Sequence, residues 1–366
     1  MQGFSNNERL FINDMQMISR TFSVIRTPTV EWLARKQKTS GIPSISEDYF
    51  VKSKSVEKQQ PHSACGAESR KKCADAFTNM GSRSLDARLN SYYEDSVAVD
   101  SWEIERMTDI YRHLKSEVRI FLQRQLPFDI GDPIDRGSSH EGLKIRRADE
   151  FDVLIPLEIS GSNWSFENYA LDNCFVKIVE RGHDYFIPSN LRQDVYDGFT
   201  KLFSVDLVPL IKLGNTWAVA KPHPDSVGIR YSAEGVLWRR SFTHRESHYI
   251  KNISHESKKV LKIVKAMRLD NYTQMGMLPS YVYKLAFLHW YYKEEFSSSI
   301  SANVISFFSY LSQVLSNETL HPYPDSEYNV NILKSFTSVS LLNVAHFIRT
   351  IILSETKLMA ALRLPS

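Results

Sequence analysis

The chain has 366 residues, 42% hydrophobic and 24% charged, with a formal net charge of +3. That is enough material for one large domain or two intimate lobes around a sizeable core. With 14 glycines, 14 prolines and 3 cysteines it is neither collagen-like nor a disulfide scaffold, and no apolar run reaches the roughly 18 residues a membrane helix needs.

The first twenty residues are polar and carry Glu8 and Asp14, which does not read as a secretory signal, so a soluble protein of the cytoplasm is expected. Residues 4–33 could hold a helix or two. From Lys36 to Ser84 there are nine Lys or Arg, five Asp or Glu and nine Ser. Such a stretch buries too little apolar surface to offset its ordering entropy, so residues 1–84 read as an extension with a basic, flexible linker.

Order is expected from about Leu85. Asp100-Ser101 followed by Glu103 resembles a capping box. Trp102, Ile104, Met107, Ile110, Tyr111, Leu114, Val118, Phe121 and Leu122 then recur at helical spacing, predicting a helix of about seven turns that ends before Pro127. Strands are predicted over 150–159, 174–179, 204–211 and 217–220, and helices over 247–267, 280–293, 300–315 and 330–353. Helix, mixed α/β and then all-helical order implies two lobes joined by a spine: residues 85–246, then 247–366.

The acidic residues carry the chemistry. Glu150 and Asp152 alternate with Phe151 and Val153, so on a strand both carboxylates share one face. Two carboxylates so placed repel unless a cation lies between them, and hard oxygen ligands favour Mg²⁺ or Mn²⁺. Asp206, flanked by Val205 and Leu207, is a third acid that is costly to bury alone. Three such groups on adjacent strands can hold two ions, and the upstream turn Gly137-Ser138-Ser139 can offer N–H groups and a hydroxyl to phosphate. Glu-x-Asp by itself is common on half-exposed strands; the turn and the third acid give it weight.

These residues resemble the active-site pattern of cyclic GMP–AMP synthase and the cyclic GMP–AMP synthase-like receptors, within the male-abnormal type of nucleotidyltransferase. The likeness extends to Trp238-Arg239-Arg240-Ser241-Phe242-Thr243-His244, to the basic run Lys258, Lys259, Lys262 and Lys265, and to Ser280-Tyr281 with Lys284 to His289. The resemblance implies an α+β, bilobal nucleotidyltransferase fold with a mixed-sheet catalytic lobe and a helical C-terminal lobe. It implies metal and catalytic roles for Glu150, Asp152 and Asp206, and nucleotide contacts at Gly137, Ser138, Arg239, Ser241, Glu246, Lys265, Ser280 and Tyr281. Arg239 would touch a base, Tyr281 would stack on one, and Lys265 and Ser280 would hold phosphates. His244 and His289 read as structural.

One departure is plain. Relatives that sense DNA carry a His and three Cys zinc insertion after the Ser-Phe-Ser-His signature, and between His248 and Arg268 this chain has no cysteine. No structural zinc is expected, and double-stranded RNA is favoured over DNA. Between Arg239 and Arg268 nine Lys or Arg face two acids, Glu246 and Glu256, and Lys251, Lys258, Lys259 and Lys262 are the expected contacts to a duplex backbone. The implied activity is synthesis of a cyclic dinucleotide from ATP and GTP in innate antiviral signalling, with STING as product receptor. A non-catalytic nucleotide- or nucleic-acid-binding scaffold and a 2′–5′ oligoadenylate synthase are the competing readings.

Overall fold

The computed structural model describes residues 84–125, 129–158, 164–169, 172–180, 193–196, 204–220, 237–324 and 329–364. The expected N-terminal helices and, but for Ser84, the basic linker lie outside the described residues. From Leu89 onward these residues belong to one compact unit.

Helix α1 (Leu85–Tyr92) runs into a π-helical turn (Tyr93–Val97), and α2 (Ser101–Gln125) is the long predicted helix. β1 (Ile134–Arg136) leads into the single turn α3 (Gly137–His140). Strands β2 (Glu150–Pro156), β3 (Trp164–Asn168), β4 (Phe175–Glu180), β5 (Gln193–Tyr196), β6 (Ser204–Leu213), β7 (Thr216–Val219) and β8 (Trp238–Ser241) follow. The rest is helical: α4 (Thr243–Lys251), α5 (His255–Asp270), α6 (Tyr272–Met275), α7 (Ser280–Lys293), α8 (Ile300–Ser316), a 3₁₀ turn (Ile332–Ser335), α9 (Ser338–Ile351) and α10 (Glu355–Ala361). The architecture is therefore α+β, as expected.

The eight strands form one mixed sheet in the order β1-β2-β6-β7-β8-β4-β3, with β5 also pairing β6. One face of it packs on α2: Met107, Tyr111, Val118 and Leu122 meet Phe151, Val153, Ile155, Val205 and Leu207. The Tyr111 ring stacks on Phe151 at 4.4 Å, and the Tyr111 hydroxyl and Lys115 both bond Asp135 on β1. The start of α2 departs from its periodicity. Trp102 and Ile104, in its first turn, are exposed. Glu103 is not spent on a cap: its carboxylate accepts the Ala148 N–H at 2.8 Å and anchors the entry to β2.

Two long predicted helices are each broken by a capping side chain. The span 247–267 divides because Ser254 accepts the Ser257 N–H at 3.1 Å and restarts the helix, while α4 begins earlier, at Thr243. The span 330–353 divides at Asn331 and Thr337, whose side chains cap the 3₁₀ turn and α9. Strands β1, β3, β5 and β8 were not predicted. They are 3 to 5 residues long and carry at most two apolar side chains each. Among the described residues no helix is long and apolar enough to cross a membrane.

Candidate metal centre and nucleotide cleft

The carboxylates come together through strand register. β2 and β6 are parallel, with Asp152 opposite Asp206, and Glu150 lies two residues back on the same face of β2. Phe151 and Val153 point into the core as their alternation requires, Glu150 is exposed and Asp152 and Asp206 are half-buried. One carboxylate oxygen from each of Glu150, Asp152 and Asp206 lies within 4.8 Å of the others. That donor set, all hard oxygens with no nitrogen or sulfur, could hold a divalent cation and suits Mg²⁺ or Mn²⁺. Burial, then the charges of Glu150 and Asp206, push the Asp152 carboxyl up to about 6, against the opposing charge of Lys144.

Glycine is required at 137. Its φ is +74°, and a Cβ there would stand 1.7 Å from an Asp152 carboxylate oxygen. The α3 turn thus lies directly against β2, and the Ser139 hydroxyl fastens it by donating to the Glu150 carbonyl at 2.6 Å. Ser138, the residue expected to meet phosphate, accepts the Leu143 N–H on its carbonyl.

A second cluster joins the end of the sheet to the helices. Arg239 on β8 lies 5.8 Å from the Tyr281 ring centroid, and the Tyr281 hydroxyl donates to Glu246 at 2.6 Å. Burial and the Glu246 carboxylate hold that phenol well above its ordinary pKa. Glu246 is fully buried, so as placed it orients Tyr281 rather than facing a ligand. Ser241 is nearly buried, its hydroxyl 2.9 Å from that of Thr243, and Ser280 is exposed at the start of α7. Lys265 donates to the Leu143 carbonyl at 2.7 Å. Burial and then neighbouring Lys144 lower its pKa to about 8. His289 bonds the His321 carbonyl and His244 stacks on Trp217, structural contacts both.

Two charged residues in this region, Glu141 and Lys144, were not singled out from the sequence, and Lys284 entered only as part of a motif, without a role. Lys144 lies 3.2 Å from Glu150, and Lys284 lies 3.1 Å from Glu141 and 3.7 Å from Glu246. No spacing rule marks them: Lys144 meets Glu150 across a loop, and Lys284 meets partners far from it in the chain.

The expected nucleic-acid contacts are placed unequally. Lys251 is exposed and Lys258 half-buried. Lys258 passes 3.9 Å from where a Cβ on Gly142 would be, which puts the basic face beside the α3 turn. Lys259 is 12% exposed and ion-paired with Glu94 and Glu256. Lys262 is 7% exposed, its ammonium 3.3 Å from the Tyr93 hydroxyl. Helical spacing sent one face of α5 inward, and Lys262 is on that face.

No known family model matches the chain. Among curated proteins, cyclic GMP–AMP synthase-like receptor 3 of the coral Stylophora pistillata is 22% identical over an alignment of 338 residues, covering 76% of this chain and 98% of the relative. The chain is thus similar, over most of the length of that relative, to a protein of the kind its motifs resemble.

Proposed function

We propose that this chain is a nucleotidyltransferase that joins ATP and GTP into a cyclic dinucleotide of the cyclic GMP–AMP kind when double-stranded RNA engages it. The observation that carries the reading is the parallel register that sets Asp206 opposite Asp152 beside Glu150, with the Gly137 turn pressed against them. The similarity to a cyclic GMP–AMP synthase-like receptor supports it. On this reading 85–246 is the catalytic lobe with its spine, 247–366 is the helical lobe, and the enzyme is cytoplasmic and signals in antiviral immunity through STING.

Glu150, Asp152 and Asp206 would hold two Mg²⁺ or Mn²⁺ ions, which when bound ease ionisation of the attacking ribose hydroxyl and neutralise charge on the leaving pyrophosphate. Gly137 and Ser138 would offer the turn to the donor triphosphate, with Lys265 balancing its charge and the Ser280 hydroxyl bonding a phosphate oxygen from the helical side. Arg239 would touch a base with its guanidinium and Tyr281 would stack on one, assisted by Ser241. Glu246 would fix the Tyr281 hydroxyl. Lys251 and Lys258 would meet the duplex backbone first; Lys259 would join on leaving its acidic partners, and Lys262 would support the helix from within.

The test is turnover. Purified protein with labelled ATP, GTP and Mg²⁺ or Mn²⁺ should form a phosphatase-resistant product in the presence of double-stranded RNA. A product made equally without RNA removes the trigger from the proposal. No product with RNA, DNA or neither refutes the enzyme reading and leaves the scaffold.

The cleft also predicts a pH dependence. Lys265 has a pKa of about 8, below an ordinary lysine, because its charged form is buried. A triphosphate favours the charged form, so ATP affinity should be level between pH 7 and 8 and weaken by up to tenfold per unit above it. Calorimetry at pH 8 in buffers of different ionisation enthalpy should show net proton uptake, and Lys265→Met should abolish it. Equal affinity at pH 7 and pH 9 would remove Lys265 from the phosphate site.

A further inference from the structure

The segment between the α3 turn and β2 is held by the helices at two points and grips the carboxylate cluster at a third. Glu141 is 2% exposed, and Lys284 of α7 reaches both its oxygens, at 3.1 and 3.3 Å. Burial would lower the Lys284 pKa, but Glu141 and then Glu246 outweigh it and hold the ammonium above its ordinary value. Two residues on, the Leu143 carbonyl accepts from Lys265 of α5. The next residue, Lys144, is 10% exposed on its side chain and places its ammonium 3.2 Å from Glu150. Backbone bonds from Glu141 N–H to the Gly137 carbonyl and from Leu143 N–H to the Ser138 carbonyl make 137–144 one hydrogen-bonded piece.

The geometry points to Glu141 as a positioning residue for the metal centre: its ion pair with Lys284 ties this piece to α7, which keeps Lys144 against Glu150 and the Gly137 turn against Asp152. Glu141 is not among the three acids within ligand distance of one another. A movement of α7 is transmitted to the carboxylates through this pair. The inference rests on reading Glu150, Asp152 and Asp206 as a divalent-cation site.

Lys284 also faces the fully buried Glu246, so removing Glu141 or Lys284, singly or together, leaves a buried charge short of a partner, whereas removing all three charges does not. That difference separates a positioning role from a merely structural one. Mn²⁺ binding would be measured by electron paramagnetic resonance on the full chain, at a temperature where circular dichroism shows each variant folded. The set is wild type, Glu141→Gln, the triple variant Glu141→Gln with Lys284→Gln and Glu246→Gln, and Asp206→Asn as control. Glu141→Gln should bind Mn²⁺ at least about tenfold more weakly and melt lower; the triple variant should regain melting temperature yet still bind Mn²⁺ weakly, because the tether is gone. Recovery of Mn²⁺ affinity together with stability in the triple variant would make the pair structural only, and unchanged binding in Glu141→Gln would overturn the inference outright. Should wild type and Asp206→Asn bind alike, the metal centre itself fails and takes this inference with it.

Discussion

Asp206→Asn is expected to lower cyclic dinucleotide formation by about a thousandfold or more while leaving the melting temperature unchanged or raised. The two effects have opposite causes. A bound divalent cation supplies several kcal/mol to a transition state that develops charge, and a loss of about 4 kcal/mol is a thousandfold in rate. In the cation-free protein the same carboxylate is a liability. It faces Asp152 across two parallel strands, and its charge is one of those that push the Asp152 carboxyl up to about 6. Asparagine keeps the size of the side chain and removes that repulsion. Turnover measured beside a melting curve decides the matter: a variant that loses activity because it unfolds would show Asp206 to be a structural acid.

Gly137→Ala should be the second severe change, for steric rather than electrostatic reasons. An alanine at φ +74° carries a backbone penalty of about 1–2 kcal/mol. Its Cβ would also meet an Asp152 carboxylate oxygen at 1.7 Å, far inside contact distance. Either the α3 turn lifts from β2 or Asp152 swings away from Glu150 and Asp206. Both movements are of ångström size, and a misplacement of that order costs on the order of a hundredfold in rate. The expected outcome is a modest drop in melting temperature with a disproportionate loss of turnover and of Mn²⁺ binding. Gly214→Ala is the matched control: its φ is +58° but nothing lies within 4 Å of the added Cβ, so it should cost stability alone. Equal effects from the two substitutions would mean that closeness to Asp152 is immaterial.

How much of this was readable before folding differs by element. The helix over 280–293 and the strand beginning at Glu150 were read at their observed starts, since a long apolar stretch or an alternation is a local pattern. The helices over 247–267 and 330–353 were over-extended, because a capping serine, asparagine or threonine interrupts a period without disturbing its apolar residues. Of the lysines on α5, the sequence showed the charge but not the face: Lys259 and Lys262 turn toward Glu94 and Tyr93, which precede the long helix.

The α+β class and the shared face of Glu150 and Asp152 were legible in the order of residues, and a resemblance spread along the chain suggested the candidate roles. These depend on neighbours in sequence or on motif identity. Three further features arise only on folding: that Asp206 stands opposite Asp152, that Gly137 has no room for a methyl group, and that Glu141 is locked to Lys284. Each depends on the register or packing of segments far apart in the chain, and a register is set by the summed burial of whole strands and helices rather than by any residue within them.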